Sequence, residues 1–189
     1  IEQQGFDYVD VWLLRVDKNG DELWNHTFGG EKLDTAKAVI QSNEGYIVVG
    51  GTSSFGEGSE DVWLIKIDDD GMEIWNHTFG GEGWEIGNAI EETSDGNYLI
   101  TGYTTSYNVA GSGDLWLIKV NSEGEEIWNH SFGGIGHDEG RSIAVADDGY
   151  VIVGLTESYN GKNNAWFIKV DDDGDEIWNY TLDSENNAL

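Results

Sequence analysis

The chain has 189 residues, no cysteine, and 37 acidic against 9 basic residues, for a formal net charge of -28. That charge argues against nucleic acid or an anionic membrane surface held by general electrostatics, and without cysteine neither a disulfide nor a thiolate site is available. No run approaches the roughly 20 apolar residues of a membrane span, and the chain opens at Ile1, which leaves two origins open: removal of a targeting segment, or excision from a longer protein.

Residues 1–9 read as an N-terminal extension or partner-contacting segment. The first strand-like run follows at residues 10–16, Asp-Val-Trp-Leu-Leu-Arg-Val, then the turn Asp17-Lys18-Asn19-Gly20 and a second run at residues 22–28 containing Trp24. Asp and Asn bond their local backbone while Gly takes the positive dihedral angle that closes a hairpin. The glycine pair Gly29-Gly30 precedes a less apolar third run around Ala36–Ile40, and a Gly-containing turn leads to the fourth, Tyr46-Ile47-Val48-Val49-Gly50. The β-branched residues of that fourth run suit a strand buried on both faces.

This unit then returns. Trp12, Trp63, Trp116 and Trp166 are separated by 51, 53 and 50 residues, and Trp24, Trp75, Trp128 and Trp178 keep the same intervals. These eight tryptophans are the expected blade core. The extra residues of the longest interval fall in the loop at residues 107–113, where length variation is tolerated. Four short antiparallel strands per roughly 50 residues is the signature of a β-propeller blade, so the expected fold is an all-β propeller array. An internally duplicated β-sandwich is the competitor, and it has no reason to keep the period.

The segment Asp61-Val62-Trp63-Leu64-Ile65-Lys66-Ile67-Asp68, with Glu73-Ile74-Trp75, Gly80-Gly81 and residues 95–102, resembles the repeat of secreted and cell-surface β-propeller proteins of archaea and bacteria. The hairpin at residues 169–178 is similar to the Asp, Gly and Trp pattern of quinoprotein-like, PQQ-type blades. The resemblance covers about residues 10–182 and implies an extracellular or cell-surface location. It also implies that the Trp-bearing hairpin is the outer half of each blade and the Gly- and Tyr-rich hairpin the inner half. The vicinal cysteines of some quinoprotein dehydrogenases have no counterpart here.

Divided that way, residues 10–28 are an outer half-blade, and blades follow at 35–79, 87–132 and 140–182, with a C-terminal tail at 183–189. The array is three and a half blades in fourteen strands, whereas a closed ring needs at least four blades. It is therefore expected to be incomplete, or completed by partner chains in a homo-oligomer or head-to-tail filament, or by further blades of a longer chain.

Asn25, Asn76, Asn129 and Asn179 each head an Asn-x-Thr/Ser acceptor for N-linked glycans. If the adjacent Trp faces the core, alternation turns the Asn to solvent. The turns carrying Asp17, Asn19 and Asp21, Asp68 and Asp70, and Asp171, Asp173 and Asp175 present oxygens at the spacing of the start of a calcium loop. The rest of an EF-hand set is absent, the third copy is Asn121-Ser122-Glu123-Gly124, and ordinary hairpin chemistry is the competing account. His26, His77 and His130 share one column and, with His137, read as surface residues rather than zinc ligands.

Asp34, Glu85 and Asp138 follow successive glycine pairs and stand as candidate tunnel-mouth carboxylates for glycoside hydrolysis, against a role as turn anchors. Trp84, outside both ladders, is a candidate sugar-stacking residue, and residues 52–55, 104–107 and 156–159 a candidate recognition rim. No catalytic constellation emerges, and the expectation is a non-enzymatic structural or adhesive protein. Its alternative is a carbohydrate- or protein-binding module excerpted from a longer surface protein.

Overall fold

The computed structural model describes residues 9–107 and 110–183. The expected N-terminal extension and C-terminal tail lie outside the described residues, apart from Val9 and Asp183. Fourteen antiparallel strands form four open sheets that follow one another along the chain. Strands β1 (Val11–Val16) and β2 (Glu22–Phe28) make a two-stranded sheet. The second sheet is β3 (Asp34–Ser42), β4 (Gly45–Thr52), β5 (Asp61–Ile67) and β6 (Glu73–Phe79). The third is β7 (Glu85–Glu92), β8 (Tyr98–Thr104), β9 (Asp114–Val120) and β10 (Glu126–Phe132), and the fourth β11 (Asp138–Ala146), β12 (Gly149–Thr156), β13 (Asn164–Val170) and β14 (Glu176–Leu182). Each is a meander in which chain neighbours pair.

Strand alternation decides how the sheets meet. In β5, Val62 and Leu64 face the third sheet, where they pack with Ile90, Ile100, Trp116 and Ile118. Trp63, Ile65 and Ile67 of the same strand face the first sheet and pack with Val11, Leu13 and Trp24. β9 repeats the arrangement, with Leu115 and Leu117 meeting Ile143, Ile152, Trp166 and Ile168 of the fourth sheet. β5 and β9 are apolar on both faces because each lies between two neighbouring sheets.

The ends lack one neighbour, and their exposure follows. Trp12, Leu14 and Val16 are 62%, 45% and 47% exposed, whereas the corresponding Trp63, Ile65 and Ile67 are 3%, 1% and 1%. Trp178 is 46% exposed at the other end. Trp12 and Trp178 therefore depart from the expected core ladder, since no sheet covers them. Trp63, Trp116 and Trp166 are buried, and Trp24, Trp75 and Trp128 half-buried.

A basic column crosses the central strands. Lys66, Lys119 and Lys169 bury their stems and reach Glu44, Asp95 and Asp148 at the hairpin turns, at 3.6, 3.1 and 2.7 Å. The ammonium thus ends at the sheet rim rather than in the core.

Glycine is required where the acidic turn of one sheet rests on its predecessor. Gly124 has φ +79°, and a β-carbon there would stand 2.5 Å from His77 and 2.8 Å from Trp75. Gly124→Ala is expected to destabilise the fold by about 1–3 kcal/mol through strain and displaced aromatics, read as a lower urea midpoint with an unchanged m-value.

Candidate functional site

The repeated chemistry lies at the junctions between sheets and on the outer strands. At the upper end of each junction, a backbone N–H opening one sheet donates to a carbonyl of the sheet before it. These bonds run Asp34 to Val9 at 2.7 Å, Glu85 to Glu60 at 2.7 Å and Asp138 to Gly113 at 3.1 Å. The side chains of the same three residues are buried. Asp34 accepts from the Gly30 N–H at 2.8 Å, from Ser54 Oγ at 2.7 Å and from Thr52 Oγ1. Glu85 accepts from the N–H groups of Gly81, Thr105 and Ser106 at 2.8, 3.2 and 3.0 Å and from Thr104 Oγ1 at 3.1 Å. Asp138 accepts from the Gly134 N–H at 3.0 Å and Ser158 Oγ at 2.6 Å.

These carboxylates are buried rather than gathered round a tunnel mouth, as the hydrolase reading of the sequence required. Each is held by the corner after its glycine pair. The Ser and Thr residues of the expected recognition rims supply many of the donors, so those rims are largely junction corners.

At the outer end, the hairpin turn of each sheet sits on the Trp and His of the preceding one. Trp24 Nε1 donates to the Asp69 carbonyl at 2.9 Å, and His26 Nε2 lies 3.2 Å from the Asp70 carbonyl. His77 and His130 make the same approach to the carbonyls of Glu123 and Asp173, at 3.0 and 3.1 Å. His26, His77 and His130 are therefore half-buried surface residues that also serve as junction contacts. They contact three different turns and do not gather.

Within each turn the first side chain is occupied. Asp17 Oδ1 accepts from the N–H groups of Asn19 and Asp21 at 2.8 and 3.0 Å, which hold its carboxyl below the ordinary value. Asp68 and Asp171 bond Asp70 and Met72, and Asp173 and Asp175, in the same way. Asn121 does so as an uncharged amide, at 2.9 Å to both Glu123 and Glu125. Hairpin geometry therefore occupies one oxygen of the side chain at that position. Among the described residues, no group of three or more His, Asp or Glu side chains converges to hold a metal.

The four asparagines of the glycan acceptors are exposed, but they are not idle. Trp12, Trp63, Trp116 and Trp166 donate their indole N–H to Oδ1 of Asn25, Asn76, Asn129 and Asn179, at 3.4, 3.2, 3.1 and 3.4 Å. Each Asn Nδ2 in turn donates to a glutamate three residues earlier, Glu22, Glu73, Glu126 or Glu176, at 2.5, 2.7, 2.7 and 2.7 Å. The residue between Glu and Trp is an unpaired bulge, as where Ile67 pairs Glu73 and Lys66 pairs Trp75. One extra residue brings positions three apart onto one face. Strict alternation hides this clasp, although the recurring Glu-x-Trp-Asn was visible in all four copies.

The chain matches no protein-family model and no curated protein.

Asn76→Ala removes both bonds of one clasp and leaves the Trp63 indole N–H unpartnered. A loss of about 1–2 kcal/mol is expected, measured by chemical denaturation. Asn76→Asp, which still accepts from Trp63 but repels Glu73, is expected to recover part of it near pH 4 and little near pH 7.

Proposed function

We propose that the chain is an extracellular or cell-surface structural or adhesive segment. In this reading the four-stranded sheets are blades of a β-propeller array and the β1–β2 hairpin a half-blade, as the resemblance to secreted propeller repeats implies. N-linked glycans on Asn25, Asn76, Asn129 and Asn179 coat the outer strands. The segment acts by association through its end faces, with copies of itself stacking head to tail.

One observation carries the reading: Trp12, Leu14 and Val16 are exposed where every internal equivalent is buried. That face is of the kind that receives a preceding sheet at the internal junctions. The fourth sheet offers the complementary kind of face, with Trp178 and Tyr180 exposed where Trp24 and His26 are covered by a turn. Two such faces, different from one another, join head to tail rather than as a symmetric pair. Further blades of a longer chain would satisfy the same surfaces.

A second reading has its own observation. Trp84 is exposed and lines a shallow cleft of about 240 Å³ with Glu60, Glu85, Ile86 and Tyr103. An open aromatic face beside the half-buried Glu60 suits stacking against a sugar ring, which supports a carbohydrate-binding module.

Sedimentation of this chain over a concentration series tests assembly. Concentration-dependent association is expected, with Leu14→Glu weakening it at least about tenfold by placing a charge in the contact while leaving the unfolding midpoint nearly unchanged. A chain that stays monomeric with both end sheets protected from hydrogen exchange would defeat the assembly reading. For the glycans, intact mass of protein from its native host should exceed the sequence mass at all four asparagine-bearing peptides.

A further inference from the structure

Each upper junction sets a second acidic side chain beside the anchored one. A β-carbon at Gly80 would stand 1.7 Å from Asp61 Oδ1 and 2.7 Å from Glu85 Oε2. The two carboxylates therefore border the same glycine, which leaves no room for a side chain, and lie close enough for Glu85 to act on Asp61. At Gly29 the corresponding oxygens are Asp10 Oδ1 at 2.5 Å and Asp34 Oδ2 at 2.8 Å, and at Gly133 Asp114 Oδ1 at 2.2 Å and Asp138 Oδ2 at 2.7 Å.

The central pair is unequal in its hydrogen bonds. Glu85 accepts three backbone N–H groups and one hydroxyl. Asp61 is 2% exposed and accepts a backbone N–H from Glu57, but its Oδ1, the oxygen aimed at Glu85, is buried without a hydrogen-bond partner. Two negative charges so placed repel, and a buried acceptor with no donor is costly. A proton on Oδ1 removes both penalties, because it neutralises Asp61 and supplies a donor to the carboxylate opposite.

We propose that Asp61 and Glu85 form a proton-binding latch between the second and third sheets, with the proton carried on Asp61 Oδ1 and shared toward Glu85. Among the described residues, no cation is among the groups acting on Asp61. The groups acting on Asp61 are Glu85 and Glu57, Tyr103 and Tyr107 stand near Glu85, and Lys37 acts on the neighbouring Glu60. No group of three or more acidic or histidine side chains converges there among the described residues.

Burial pushes the Asp61 carboxyl from 3.8 up to about 6, against the opposing Glu57 N–H and with added repulsion from Glu85 and Glu57. A raised carboxyl favours the protonated fold. Its stabilising contribution is full below the unfolded value of 3.8, declines as pH rises through about 6, and is absent above.

Asp61→Asn tests the latch, since the amide copies the protonated acid by accepting from Glu57 and donating toward Glu85. Asn164 opens β13 in the place that Asp61 holds in β5, so the column already accommodates this side chain. The variant is expected to raise the folding constant about tenfold over wild type near pH 7.5, with the difference vanishing near pH 4. Equal destabilisation at both pH values would make Asp61 an ionised anchor and overturn the proposal. Carboxyl-detected NMR of the unaltered chain gives an independent reading. An Asp61 inflection near 6 supports the latch, and one at or below 3.8 overturns it. Calcium chloride that protects wild type but not Asp61→Asn near pH 7.5 would assign the pair to a cation and also overturn it.

Discussion

The third strand of each four-stranded sheet is apolar on both faces, and a single four-stranded sheet cannot bury both. β5 and β9 are buried along their whole length only because other sheets flank them on either side. Stacking is therefore a condition of stability, and the junction is the unit that repeats. The large negative charge fits the same constraint. Acidic residues concentrate in turns and at rims, and the lysines that cross the central strands carry their charge to those rims.

The junctions are fastened by means that differ along their length. Aliphatic and tryptophan side chains fill the middle, where the contribution scales with buried area. The upper end is a corner organised around one buried carboxylate, and the outer end is a turn seated on Trp and His. A backbone turn can press this closely on an aromatic ring only with glycine at its tip. The first residue of the turn needs an acceptor rather than a charge, which is why Asn121 stands in for aspartate.

Much of this architecture was legible in the sequence. The two tryptophan columns gave the period, Asp-x-x-Gly the hairpins, and the β-branched runs the buried strands. Most of the misreadings share one cause: they depend on what lies across a junction. Trp12 is chemically the same as Trp63 and differs only in having no sheet over it. Asp34, Glu85 and Asp138 resemble exposed acids in the sequence because their donors come from loops some 20 residues away. The asparagine clasp escaped because a bulge breaks the alternation on which the assignment of faces relied.

That clasp alters what the four glycan acceptors mean. A strand that needs asparagine to hold an indole and a glutamate retains it whether or not sugar is attached, so four copies are not four independent marks of glycosylation. Attachment uses Nδ2, the atom that binds the glutamate, and leaves it a single N–H. Exchange of the asparagine would confound loss of sugar with loss of the clasp. The hydroxyls of Thr27, Thr78, Ser131 and Thr181 lie outside the clasp, and through them the two roles of the motif separate.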